Sequence, residues 1–172
     1  MKNLIVVLLL LTSIKVDAQN AASIQKERMK GLAIWAGTWR GEGWMILPDG
    51  KKHLFTQKEV VNSKFDGRVL TVEGSGKDKE TGKPVHDALG YFTFDVIKQQ
   101  YKFTAMTGMG YITDVVPEII NEGFVWTLKN SPLGIMKYTI KLSKSEWVET
   151  GENSKDDGKT WMSNFEMKLK KN

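Results

Sequence analysis

The sequence predicts an all-β fold, about ten antiparallel strands in up-and-down order closed into a barrel, with one short N-terminal helix. Three observations predict it. From Thr38 onward the apolar residues recur with period two, and short Gly, Asn, Asp or Pro turns interrupt that pattern at close intervals. No second helical stretch is long enough to cover a sheet face. An open sheet of so many strands would leave two long edges inviting aggregation, and closure removes them.

The elements follow in order. Between Asn20 and Trp35 the spacing of Ile24, Met29 and Leu32 fits an amphipathic helix, with Asn20 or Ser23 as its N-cap. Strands are expected at Thr38 to Ile46, His53 to Lys64, Arg68 to Lys77, Val85 to Val96 and Gln100 to Met109. Further strands are expected at Tyr111 to Ile120, Gly123 to Lys129, Ile135 to Leu142, Glu146 to Glu152 and Thr160 to Lys170. Turns such as Pro48-Asp49-Gly50-Lys51 and Asp156-Asp157-Gly158 separate them. No repeat, low-complexity tract or long linker marks a second domain.

Ahead of the helix, Lys2 precedes the apolar run Leu4 to Leu11, and Val16-Asp17-Ala18 offers residues that signal peptidase accepts. A secretory signal over 1–18 and a single domain over 19–172 are expected, hence a periplasmic or secreted protein. The apolar run is far shorter than the roughly 20 residues of a spanning helix, so no stable membrane anchor is expected. The chain has no cysteine, which excludes lipid attachment through a thiol and leaves stability to packing. Six tryptophans, seven phenylalanines and four tyrosines can supply it.

The formal charge of +5 is mild, and its lysines are scattered through turns and alternating strand positions. That is a solvated surface, with no nucleic-acid partner expected. Catalytic constellations are missing as well. Only His53 and His86 exist, Gly74-Ser75-Gly76 lies in a β pattern without a following helix, and Asn153 to Gly158 lacks the ligand spacing of a calcium loop. No metal or other cofactor is expected.

Alternation assigns faces to the strands. Trp39, Gly41, Gly43 and Met45 share one face of the first, where an indole would plug one barrel end and two glycines would leave space above it or serve only curvature. Phe92 and Phe94, then Phe103, then Trp126, then Tyr138 join it, and the last strand offers Trp161, Phe165, Met167 and Leu169. Glu149, beside Trp147, is the acid most suited to act as a polar anchor inside, with Arg40 as an alternative. These apolar side chains either fill the barrel or line a pocket.

Gly37-x-Trp39-x-Gly41-x-Gly43, placed after a short helix, resembles the opening motif of the calycin barrels: lipocalins, fatty-acid-binding proteins and nitrobindin-type haem barrels. Trp147-x-Glu149, Ser154-x-Asp156-Asp157-Gly158-Lys159-Thr160-Trp161 and Phe165-Glu166-Met167, with Phe65-Asp66-Gly67-Arg68-Val69-Leu70, are similar to an uncharacterised family of bacterial secreted lipocalin-like proteins. The resemblance covers most of the chain after residue 18. It implies a calycin, lipocalin-like barrel and very little about activity. The nitrobindin resemblance implies a proximal histidine near the C-terminal strands, and no histidine follows His86.

The expected function is therefore binding of a small apolar or amphipathic ligand inside the barrel. Trp39, Gly41, Gly43, Phe92, Phe94, Phe103, Trp126, Tyr138, Glu149 and Phe165 are its candidate lining. A packed structural or protein-interaction barrel is the alternative, and a haem-binding barrel a more distant one.

Overall fold

The computed structural model describes residues 20–47, 49–131 and 134–172; the expected secretory signal lies outside them. Residues 20–29 form an α-helix, α1, which tightens into a 3₁₀ turn at Lys30–Trp35. The expected helix is thus present over its full length, with a change of pitch at its end.

One antiparallel sheet follows: β1 (Gly37–Ile46), β2 (Lys52–Lys64), β3 (Val69–Asp78), β4 (Pro84–Asp95), β5 (Gln100–Thr107), β6 (Ile112–Val115), β7 (Glu118–Ile120), β8 (Gly123–Ser131), β9 (Gly134–Leu142), β10 (Glu146–Ser154) and β11 (Met162–Lys171). The count is eleven rather than about ten. Pro117 lacks the N–H that a continuous strand over Tyr111 to Ile120 would need, so that segment divides into β6 and β7.

The strand order is β6-β5-β4-β3-β2-β1-β11-β10-β9-β8-β7, so consecutive strands pair and the meander is joined at its middle by β1 against β11. The sheet curls into a half-barrel, and among the described residues no ladder joins β6 to β7. The curled ends meet instead through ring contacts, Phe103 on β5 against Phe124 and Trp126 on β8, with centroids 6.3 and 5.7 Å apart.

Helix α1 packs across one end. Trp39 donates its Nε1–H to the Trp35 carbonyl at 2.8 Å, and Tyr101 donates its hydroxyl to the Arg28 carbonyl at 2.9 Å. Gln25 donates to the Phe94 carbonyl at 2.9 Å. Met29, Trp35, Trp39, Phe92, Phe94, Leu142, Trp147 and Leu169 are all buried at or near this end, which is the packed core. Trp35 lies edge-on to Phe92 and tilted against Phe124, closing the bottom of the half-barrel.

Two glycines make the central seam possible. A Cβ on Gly41 would collide with the Lys168 carbonyl, and one on Gly43 would collide with the Glu166 carbonyl and lie 2.7 Å from Phe55 Cζ. Gly41 and Gly43 therefore let β1 and β11 approach, which corrects the idea that they hold open the space above Trp39. In the β10–β11 ladder a bulge intervenes. Gly151 faces Phe165 but Glu152 faces Ser163, leaving Asn164 as the extra residue of β11. Beyond it the alternation no longer holds. Trp161, expected to share a face with Phe165, instead lies beneath the Lys137 ammonium, which also pairs with Glu152 at 2.8 Å.

Candidate functional site

The inner surface of the sheet divides into a packed end and an open end. Ladder register sets the rows: Gly41 faces Gln57 and Leu169, Gly43 faces Phe55 and Met167, and Met45 faces His53 and Phe165. The rows continue from Met167 to Glu149 and Ile140, and from Phe165 to Gly151, Tyr138 and Trp126. Side chains on these rows point into the concave side, since neighbours in register share a face.

At the open end the aromatic rings form a continuous wall. Phe55 stacks on Phe165 at 5.7 Å, Phe165 meets Tyr138 edge-on at 5.9 Å, Tyr138 stacks on Trp126 at 4.2 Å, and Trp126 meets Phe103 at 5.7 Å. Phe55 is fully buried beneath this wall, whereas Phe103, Trp126, Tyr138 and Phe165 are only half-buried. They face inward and still meet solvent, so they border a space.

Polar groups sit within the same concavity. Gln57 and Glu59 occupy inward positions of β2 at 5% exposure each, and Gln57 donates its Nε2–H to Glu59 Oε1 at 2.7 Å. Burial pushes Glu59 up to about 7, against the lowering effect of the Gln57 bond. Glu149 accepts a hydrogen bond from Trp147 Nε1 at 3.3 Å. Burial first, and then repulsion from Glu59, push Glu149 up to about 8. Glu149 is half-buried, on the inward row that runs from Met167 to Ile140. Burial and the Glu149 charge together push the Tyr138 phenol up to about 12.

Of the ten residues expected to line the site, the structure brings Phe103, Trp126, Tyr138, Glu149 and Phe165 together at the open end. Trp39 and Phe92, both at 0% exposure, and Phe94 belong to the packed end instead, where they support the site without bordering it. Arg40, the alternative polar anchor, is exposed on the outer face. Phe55, Gln57, Glu59 and Asn164 were not foreseen. Asn164 turns inward because it is the bulged residue, and its Nδ2 lies 3.7 Å from Met136 Sδ.

His86 pairs with Gly76 in register and lies half-buried, its imidazole shifted down by burial. His53, the other histidine, is outside the wall and bonded to Asp49 at 3.1 Å, so neither histidine stands on the C-terminal strands. A groove of about 590 Å³ lies elsewhere, between Lys58, Glu73, Leu89 and Met106. Register puts those side chains on the outer face, so it is an open surface furrow and not the interior.

No family model matches the chain, and no curated protein matches it in sequence. Solved structures do match. Rv2717c from M. tuberculosis superimposes with a TM-score of 0.62 at 14% identity, covering 84% of this chain and 96% of that one. The S-type phycobiliprotein lyase CPES from Guillardia theta gives 0.57 at 7% identity, covering 90% and 96%. A designed fluorescence-activating β-barrel gives 0.41 at 12% identity, covering 80% and 93%. The fold is lipocalin-like. At these identities what is shared is the architecture alone.

Proposed function

We propose that this chain is an exported lipocalin-like barrel that holds a small apolar or amphipathic molecule in its interior. One observation carries the reading: Phe103, Trp126, Tyr138 and Phe165 face the concave side yet remain half-buried, while the opposite end of the same interior is sealed around Trp39 and Phe92. A solid core packs at crystal-like density and leaves no inward ring accessible. A concave aromatic surface with a few polar groups is what small-molecule sites use. The likeness to a phycobiliprotein lyase is consistent with a barrel that takes a ligand.

The test is titration with a neutral fluorescent apolar probe. The parent is expected to bind it saturably, Trp126→Ala to weaken binding about tenfold, or about 1.4 kcal/mol, and Trp161→Ala, which alters a ring outside the wall, to leave binding unchanged. Absence of saturable binding by the parent would favour a packed structural barrel.

Export rests on Lys2, the run Leu4 to Leu11 and Val16-Asp17-Ala18. N-terminal sequencing of the protein recovered outside the cytoplasm is expected to begin at Gln19 or within a few residues of it. Intact Met1 on the recovered protein would contradict export by this route.

A further inference from the structure

Two carboxyl groups enter the interior, those of Glu59 and Glu149, and among the described residues neither forms an ion pair. Among those residues the hydrogen bond made to Glu59 comes from Gln57 Nε2. A carboxylate can only accept, so the Gln57 amide must present its NH₂ to Glu59, which turns its carbonyl oxygen away. That oxygen, on a side chain at 5% exposure, is buried and has no hydrogen-bond partner among the described residues. Buried acceptors left without donors are costly, and buried charge without a partner more so.

The sheet makes room for this arrangement. A Cβ on Gly74 would lie 2.6 Å from Glu59 Oε1, and one on Gly76 would collide with Gln57 Oε1. Two side-chain positions of β3 are thus vacant where the acceptors lie. Glu149 faces the same space from β10, steadied by Trp147, and the aromatic wall begins beside it at Tyr138. Three acceptor groups thus face one space: Glu59 and Glu149, each with a single neutral N–H donor, and Gln57 Oε1, with none among the described residues. Among the described residues no third metal-ligating side chain joins the two acids, so a bare metal ion is not the partner they are built for.

We propose that the interior selects a cationic amphiphile, a protonated amine on an aromatic or aliphatic body, with the ammonium between Glu59, Glu149 and Gln57 Oε1. The body then lies along Trp126, Tyr138 and Phe165. This rests on the reading that the interior binds a small molecule. An ammonium brings the counter-charge that the two acids lack and a donor for Gln57 Oε1, and the adjoining ring faces accept its apolar part. Other titratable groups on the inward rows are few: Tyr138 on β9, His86 on β4, His53 at the start of β2 and, at the far end of β3, Asp78, which Thr81 N–H bonds at 2.7 Å and His53 Nδ1 approaches at 3.6 Å. The inward residues of β1 and β11, Trp39 to Met45 and Phe165 to Leu169, include none. Amine affinity therefore follows ionisation of the two acids and rises with pH through neutrality.

Three dansyl probes with the same undecyl chain, ending in an ammonium, a methyl or a carboxylate, test this at pH 8.5. The parent is expected to bind the ammonium probe at least tenfold more tightly than the methyl probe, and the carboxylate probe most weakly. In the variant carrying Glu59→Gln and Glu149→Gln, checked for native circular dichroism, the ammonium advantage should vanish while methyl-probe binding persists. If the parent binds the methyl probe but gains nothing from the ammonium, the cation site is wrong and the ligand-binding reading stands. If no probe binds, both fall. The parent's own ranking of the probes decides the matter even if the double variant does not fold.

Discussion

Glu149→Gln is expected to raise the melting temperature of the ligand-free protein at pH 8.5 and to change it little at pH 5. Both interior acids hold their protons more tightly in the folded chain than in the unfolded one, with Glu59 pushed to about 7 and Glu149 to about 8 from the ordinary glutamate value of 4.5. Their folded pKa values are raised, so the stability linked to them is fully present below about pH 4.5 and is lost as pH rises through about 7 to 8. The two titrate as a pair. Ionisation of one raises the cost of ionising the other, so the pair as a whole resists losing its protons. A tenfold change in proton affinity is worth roughly 1.4 kcal/mol, so neutralising Glu149 should recover on the order of 2–4 kcal/mol at pH 8.5. Thermal melts of parent and variant at pH 5, 7 and 8.5 check this. Parallel curves with no convergence at low pH would mean that Glu149 is not desolvated in the folded state.

Trp39→Ala is expected to cost roughly 3–5 kcal/mol, the range for removing a buried aromatic side chain. Trp39 is at 0% exposure, bonds the Trp35 carbonyl, meets Trp147 edge-on at 5.9 Å and lies beneath the Lys171 ammonium at 5.2 Å. Losing it opens a cavity and unfastens the helix from the sheet in one step. For a domain of this size the melting temperature should fall by roughly 10 °C or more. Trp126→Ala makes the contrast, since its ring is half-buried at the open end and its loss should cost much less. Urea unfolding of the two variants side by side separates them. Equal losses would contradict the division into packed and open ends.

The strand pattern was legible because turn residues and period-two alternation are local signals, and the helix over 20–35 was legible for the same reason. Pro117 also carried its message openly, as a residue without an N–H inside an expected strand. Closure was not legible, because whether β6 meets β7 depends on the curvature summed over the whole sheet. Nor was the bulge at Asn164, which moves Trp161 off the interior face without leaving a mark on the local pattern. Half of the expected lining fell at the packed end or along the central seam, since alternation tells which face a residue occupies and not how far along the strand the core extends. Gly41 and Gly43 show a related limit: a missing side chain admits either a ligand or a neighbouring backbone, and only the β1–β11 approach distinguishes them. The buried pair Gln57 and Glu59 was within reach. Phe55 and Val61 fix the inward face of β2, and the two polar residues lie between them in the same alternation.

Among the described residues every ladder but one joins strands that are neighbours along the chain, and the exception is β1 on β11. On the ribosome β1 emerges among the first folded segments and its second partner among the last. Throughout synthesis, therefore, the nascent chain carries an unpaired strand edge that only residues 162–171 can cover. Ladder zippering between the two halves of the meander must wait until residues 162–171 have been made, after which Asn172 N–H bonds the Thr38 carbonyl at 2.9 Å beside the completed β1–β11 pairing. A product truncated before residue 162 would keep that edge permanently bare, the kind of surface that chaperones and proteases recognise.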